Sequence, residues 1–305
     1  MKINTFFTAV VQRTTTYLIL GLAFSTPAQG TNLSFQAAQA GADKGDARAQ
    51  YELARLYEKG NGVAQDDAKA FALMRQSAEQ GYAPAEGQLG YYYGTGLGVA
   101  SDFAEALKWY QKSADQGNAV AEFGLGYIYS TGRGAPKDSN LAVQWWQKAA
   151  DQNLAEAQNA LGEYYFLDEG GGNRRTNDME AEKWFRKAAA QGNASAMNNL
   201  GVIYDYGRGA PRNFSEAAKW YGQAAELGDA SAQGSLGTLY LDGRGVKRDL
   251  VQAYVWFTLA AEKGNGTGKK YLMDYQRLGL LTTNQLAEAQ TKIDDFKART
   301  ADPKP

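Results

Sequence analysis

LGYYYGTGLGVASDFAEALKWYQKSADQG, residues 89–117, is the stretch that decides the fold. Leu89 and Tyr93 stand four apart, on one face of a helix. Gly96 and Gly98 follow as a turn, because glycine takes the positive φ that ends a helix and sends the chain back. Asp102 then opens a second stretch, with Glu105 three residues on in the pattern of a capping box. That stretch carries Trp109 and closes on Ala114 before Gly117.

The same unit recurs six times along the 305 residues. It opens at Gly45, Gly81 and Gly117, at Asn153 in the fourth copy, and again at Gly192 and Gly228, with Gly264 ending the sixth. The steps are 36 residues, except 39 between Asn153 and Gly192. A period of this size means stacked supersecondary units, so the reading is an all-α chain, an α/α solenoid. Such folds expose long surfaces, which points to binding before catalysis.

The columns of the unit give its packing. The first helix repeats A-x-A-x-x-x-L-G-x-x-Y, with leucines such as Leu53 and Leu125 and tyrosines such as Tyr57 and Tyr129. The residue after Leu is Gly in five units and Ala54 in the first. A glycine inside a helix costs up to ~1 kcal/mol against alanine, so a neighbouring helix must approach closely there. The second helix is expected to start from Asp66, Asp102, Asp138, Asn177, Asn213 and Asp249. Its buried column is expected at Leu73, Trp109, Trp145, Trp184, Trp220 and Trp256. Identity at one register within a single chain reads as packing between units, not as a stacking platform for sugars.

These strings resemble the Sel-1-like repeat family, a branch of the tetratricopeptide superfamily. The resemblance covers residues 45–264 and extends to AYVWFTLAAEKGN at 253–265 and LTTNQLAEAQ at 281–290. It implies helix pairs stacked into a right-handed superhelix and a role in protein–protein interaction, often as an adaptor or regulator and often in the bacterial envelope or secreted. Some cysteine-rich secreted members resemble β-lactamases; this chain has no cysteine.

Composition narrows the function. Without cysteine there are no disulfides, thiol nucleophiles or CxxC sites. Without histidine a Ser-His-Asp triad is excluded. No Ser-x-x-Lys occurs, so the serine β-lactamase pattern is missing. GNGTGKK at 264–270 fails as a phosphate loop because its first glycine is misplaced and no strand precedes it. No cofactor or metal is expected. With 32 basic and 33 acidic residues and no basic block, nucleic acid is not an expected partner.

The N-terminus reads as a secretion signal. Lys2 and Arg13 precede an apolar run, Tyr17 to Phe24, and Thr26-Pro27-Ala28 supplies the small residues of a cleavage site. Eight apolar residues cannot cross a bilayer, which needs about 20. Residues 1–28 are thus expected to be a signal peptide, with the chain periplasmic or secreted and not inserted in the membrane after cleavage. Residues 29–44 read as an N-terminal capping half-repeat, 45–264 as the six repeats, and 265–305 as C-terminal capping helices and tail. In that tail Leu286, Ala289, Ile293 and Phe296 form an apolar stripe, with Thr282 and Gln285 as its cap.

The partner surface is sought where the units differ. On the first helix, the face opposite the Leu/Tyr columns carries Arg48, Tyr51, Arg55, Lys59, Tyr91, Phe123, Tyr127, Glu163, Phe166, Leu167, Val202 and Tyr206. Tyr51, Arg55, Tyr91, Phe123, Tyr127, Glu163, Phe166 and Tyr206 are the residues expected to hold a protein or peptide in a concave groove, because Tyr and Phe are enriched at interface hot spots. The insertion DEGGGNRRTND at 168–178 reads as a tolerated surface insertion, and Arg133, Arg208 and Arg244 as solvated turn residues. The expected function is a non-enzymatic interaction scaffold, an envelope regulator or host-directed factor. A β-lactamase-like or cell-wall-acting enzyme and a peptidoglycan or carbohydrate binder are the alternatives.

Overall fold

The computed structural model describes residues 33–167 and 173–301; the signal-peptide reading and the glycines at 170–172 of the insertion lie outside the described residues. Among the described residues there are fifteen α-helices and no strand. They are α1 (Phe35–Ala42), α2 (Ala47–Lys59), α3 (Asp67–Glu79), α4 (Ala83–Thr95), α5 (Phe103–Asp115), α6 (Ala119–Thr131), α7 (Ser139–Asp151) and α8 (Ala155–Phe166). After these come α9 (Arg174–Ala190), α10 (Ala194–Tyr206), α11 (Phe214–Glu226), α12 (Ala230–Asp242), α13 (Leu250–Glu262), α14 (Gly266–Leu278) and α15 (Thr283–Ala301). The chain divides into two compact units, Met1–Tyr164 and Tyr165–Pro305. In each, consecutive helices pack on one another, α2 on α3, α4 on α5 and α6 on α7 in the first, and α10 on α11 and α12 on α13 in the second. This is a repeat helical solenoid.

The local rules of the sequence account for each bend. The first glycine of every G-x-G turn is a left-handed helix cap; Gly96, at φ 81°, donates its N–H to Tyr92 O. The second glycine has a different task. A side chain at Gly98 would strike the backbone of Asp67, and one at Gly209 that of Asp178, so this turn lies on the start of the second helix one repeat earlier. At the head of the fourth unit Asn153 keeps the glycine conformation, φ 66°, the one non-glycine residue with positive φ among those described. Asparagine tolerates that region better than other residues.

Three expectations are corrected. The buried column of the second helix is one residue further on than the Trp column: Met74, Tyr110, Trp146, Phe185, Tyr221 and Phe257 are buried. Trp109, Trp145 and Trp220 are only half-buried, while Trp184 and Trp256 are buried. The core column sits against the helix-interior glycines, which explains them; a Cβ at Gly90 would come within 2.7 Å of the Tyr110 ring, and Gly201 and Gly237 stand as close to Tyr221 and Phe257. The outer Trp faces are covered instead by lysines three residues on, Lys112 over Trp109 at 3.9 Å and Lys148 over Trp145 at 4.0 Å.

Second, the reciprocal capping box fails at Asp102. Its carboxylate accepts from Ala104 N and Glu105 N, but its own N–H donates to Tyr93 O at 2.8 Å, and Glu105 meets Lys108. The Tyr column thus returns a backbone bond to five of the second helices, as Tyr57, Tyr129, Tyr204 and Tyr240 also do. Third, the fourth unit's second helix is 17 residues long and is capped by Asn173 in place of Asn177, whose N–H donates to Asn173 O inside the helix. The insertion therefore lengthens α9 by about one turn. At the far end Thr282 and Gln285 do form a reciprocal box, and Ala289, Ile293 and Phe296 are buried, with Leu286 exposed.

Candidate functional site

The expected groove residues fall into two groups. Position along the first helix decides which. Tyr51 and Phe123 occupy its fifth position, whose Cβ points at the start of the following first helix: at Gly87, the same position in α4, a Cβ would lie 3.1 Å from Ser113 Oγ and 3.8 Å from Ala121. Tyr51 accordingly packs edge-on against Tyr82 at 5.5 Å, and both Tyr51 and Phe123 are buried. Phe166 is buried too, edge-on to Phe185 and beneath the Arg208 guanidinium at 3.7 Å. The groove expectation is withdrawn for these three aromatics, because they fill joints between helices.

The ninth position behaves differently. In the first unit it carries Arg55, Tyr91, Tyr127 and Glu163 on α2, α4, α6 and α8. Arg55, Tyr91 and Tyr127 are half-exposed. Tyr91 packs against the cores on both sides of it. Tyr91 and Tyr127 flank the buried Tyr110, whose phenol is pushed up first by burial and then by these two neighbours. Arg55 lies 5.7 Å over the Tyr51 ring. Glu163 is buried and accepts from Asn159 Nδ2 at 3.0 Å. On the same helical face the second position carries Arg48, Pro84, Val120 and Glu156, and the thirteenth carries Lys59, Thr95 and Thr131. Burial holds Glu156 above the ordinary glutamate range.

Glu52, the sixth residue of α2, is buried within this stripe, whereas three other carboxylates of these helices point away. Glu86 and Glu122 sit at the fourth position and accept from the side-chain amides of Gln116 at 2.7 Å and Gln152 at 2.8 Å. Glu58 accepts from Tyr92 Oη at 2.9 Å. Burial raises the pKa of all three.

In the second unit Tyr206 is exposed, at the end of α10. The turn arginines there are not simply solvated. Arg208 pairs with the buried Asp178 and also donates to Phe166 O at 2.7 Å. Arg244 pairs with Asp242 at 2.9 Å. Sequence reading missed Asp178 because its partner lies 30 residues away, in the next repeat. A cleft of about 520 Å³ also opens in this unit between Glu226, Trp256, Phe296 and Arg299. Its cations are already matched, Arg299 by Glu226 at 3.6 Å and Lys292 by Glu288 at 3.7 Å. Among the described residues no cluster of His, Cys, Asp or Glu suits a metal ion, and no helix is long and apolar enough to cross a membrane.

Comparison with known proteins agrees with this architecture. Curated protein sequences give no significant match. Among solved structures the chain is 36% identical to c5321, a protective antigen present in uropathogenic Escherichia coli strains and displaying an SLR fold, at a TM-score of 0.67. The likeness covers 86% of this chain and 56% of that one, so the chain spans just over half of its relative's length. A Sel1 repeat protein from Oxalobacter formigenes is 29% identical over 75% of this chain and all of its own, at a TM-score of 0.67. The immunity protein PA5088 from Pseudomonas aeruginosa shares the fold at 21% identity and a TM-score of 0.52, over 72% of this chain and 82% of its own. The Sel1 repeat profile matches six consecutive segments, residues 47–82, 83–118, 119–154, 155–193, 194–229 and 230–265, and the chain belongs to the Sel1 repeat family.

Proposed function

We propose that this chain is an exported, non-catalytic scaffold that holds a protein or peptide on the shared face of α2, α4, α6 and α8. The observation that carries the reading is the pair Tyr91 and Tyr127, half-exposed at the ninth helix position, where the first unit's repeats differ in chemistry. Half-exposed tyrosines on a rigid helix offer large contact area at low entropic cost. The repeat architecture supports a binding role, because stacked units present an extended surface. The signal-like residues 1–28 support export. Likeness to a protein described as a protective antigen agrees with a chain that leaves the cytoplasm.

The reading is tested by recovering the partner from the exported fraction and measuring its affinity for Tyr127→Ala. A loss of about 2 kcal/mol or more, with the fold kept, supports the reading. Unchanged affinity removes this face from the interface.

A further inference from the structure

The face proposed above is not uniform in charge; it runs from basic to acidic across the first unit. On α2 it carries Arg48, Arg55 and Lys59, with Arg48 and Lys59 exposed. On α4 and α6 the same columns hold no charge, only Pro84, Tyr91, Val120 and Tyr127 with two threonines. On α8 they hold Glu156 and Glu163, and that helix has no basic residue. Of the carboxylates on α2, Glu52 is buried within the same stripe, between Arg48 and Arg55, and Glu58 is engaged by Tyr92, so three cations face one buried carboxylate at this end. Glu86 and Glu122 are likewise tied to glutamine amides on another side of their helices. The order along the face is therefore cationic, aromatic, aromatic, anionic.

We infer that this face takes an extended peptide of opposite polarity, with carboxylates over α2, an apolar or aromatic middle over Tyr91 and Tyr127, and a cationic end over α8. Packed helices are spaced by roughly 8–10 Å, so three spacings span about 25–30 Å. An extended chain rises about 3.3 Å per residue, which sets the bound segment at about eight or nine residues. Charge of one sign at each end fixes how the peptide lies, and the tyrosines supply affinity. Glu156 makes the contact at the acidic end, and the buried Glu163 adds its field from beneath.

The inference rests on the peptide-binding reading, and the test separates the two. Three labelled nonapeptides are titrated into the full chain at low salt by fluorescence anisotropy. One has two Asp, a Leu/Phe centre and two Lys; a second has the same centre with Asn and Gln ends; a third has Lys pairs at both ends. The first is expected to bind at least tenfold tighter than the second, with the gap closing as salt rises. The double variant Arg48→Glu, Lys59→Glu, changed only at exposed positions, is expected to lose that preference and to bind the third peptide better than the parent chain does. Equal binding of the first two peptides, weakened alike by Tyr127→Ala, overturns the charge inference and leaves the peptide site standing. A loss in the double variant with no gain for the third peptide also overturns it. Failure of all three to bind counts against both.

Discussion

The indole of Trp146 lies on the backbone of Gly126 with no space for a methyl group between them. Gly126→Ala is therefore expected to destabilise by about 1–3 kcal/mol through overpacking, although alanine is the better helix former by ~1 kcal/mol. Trp146→Ala is expected to cost about 3–5 kcal/mol, and Trp145→Ala clearly less, since that ring is half-buried under Lys148. Denaturant midpoints rank the three. A stabilised Gly126→Ala, or Trp145→Ala as costly as Trp146→Ala, contradicts this packing.

How far the sequence leads is visible at these residues. The period, the glycine turns and the glycine inside the first helix were all legible, because each has one physical cause that a single sequence displays. The core column was misplaced by one residue because Trp and its neighbour are both large, and only the helix rotation decides which faces inward. Three of the eight candidate face residues, Tyr51, Phe123 and Phe166, were misassigned for a related reason. Tyr51 and Tyr91 both lie away from the Leu/Tyr columns, yet the fifth position is buried against the next repeat and the ninth stays half-exposed. Asp178 and Arg208, 30 residues apart, could be matched only in three dimensions.

Asp102 caps α5 with two backbone bonds, whereas Glu105 pairs only with Lys108 at the surface. Asp102→Ala is expected to cost about 1 kcal/mol, and Glu105→Ala to stay within about 0.5 kcal/mol. Thermal unfolding of the two variants checks this; equal losses would mean that the box is reciprocal after all.

The buried Asp178 pairs with the partly exposed Arg208, which also holds the Phe166 carbonyl. Removing the arginine leaves the Asp178 carboxylate buried without its partner, so Arg208→Ala is expected to cost about 3–5 kcal/mol. Arg133→Ala, in the equivalent turn but resting only on the Phe103 ring at 5.2 Å, is expected to cost far less. Similar urea midpoints for the two variants would refute a special role for the pair.

Glu58, Glu86 and Glu122 have folded pKa values raised above 4.5, with burial the leading cause in each. Their neutral form is favoured more in the folded chain than in the unfolded one. The resulting penalty is present at neutral pH and is relieved as pH falls through the raised values toward 4.5. Asp66, lowered by the Lys69 backbone N–H, acts in the opposite sense, but only as pH falls below 3.8. The Tm should thus rise on mild acidification from neutrality, and Glu86→Gln with Glu122→Gln should flatten that rise. A Tm that falls steadily from pH 7 to pH 5 contradicts the assignment.

The central claim is that a partner lies on the first-helix face of the first unit. Site-specific photo-crosslinking tests it most directly, with a benzophenone side chain placed at Tyr127 or Thr131 on α6, or at the exposed Gln144 on α7 as the outer-face control. The account predicts that one protein or peptide is captured from Tyr127 and Thr131 and not from Gln144. Capture from Gln144 alone would place the partner on the outer helices and contradict the claim.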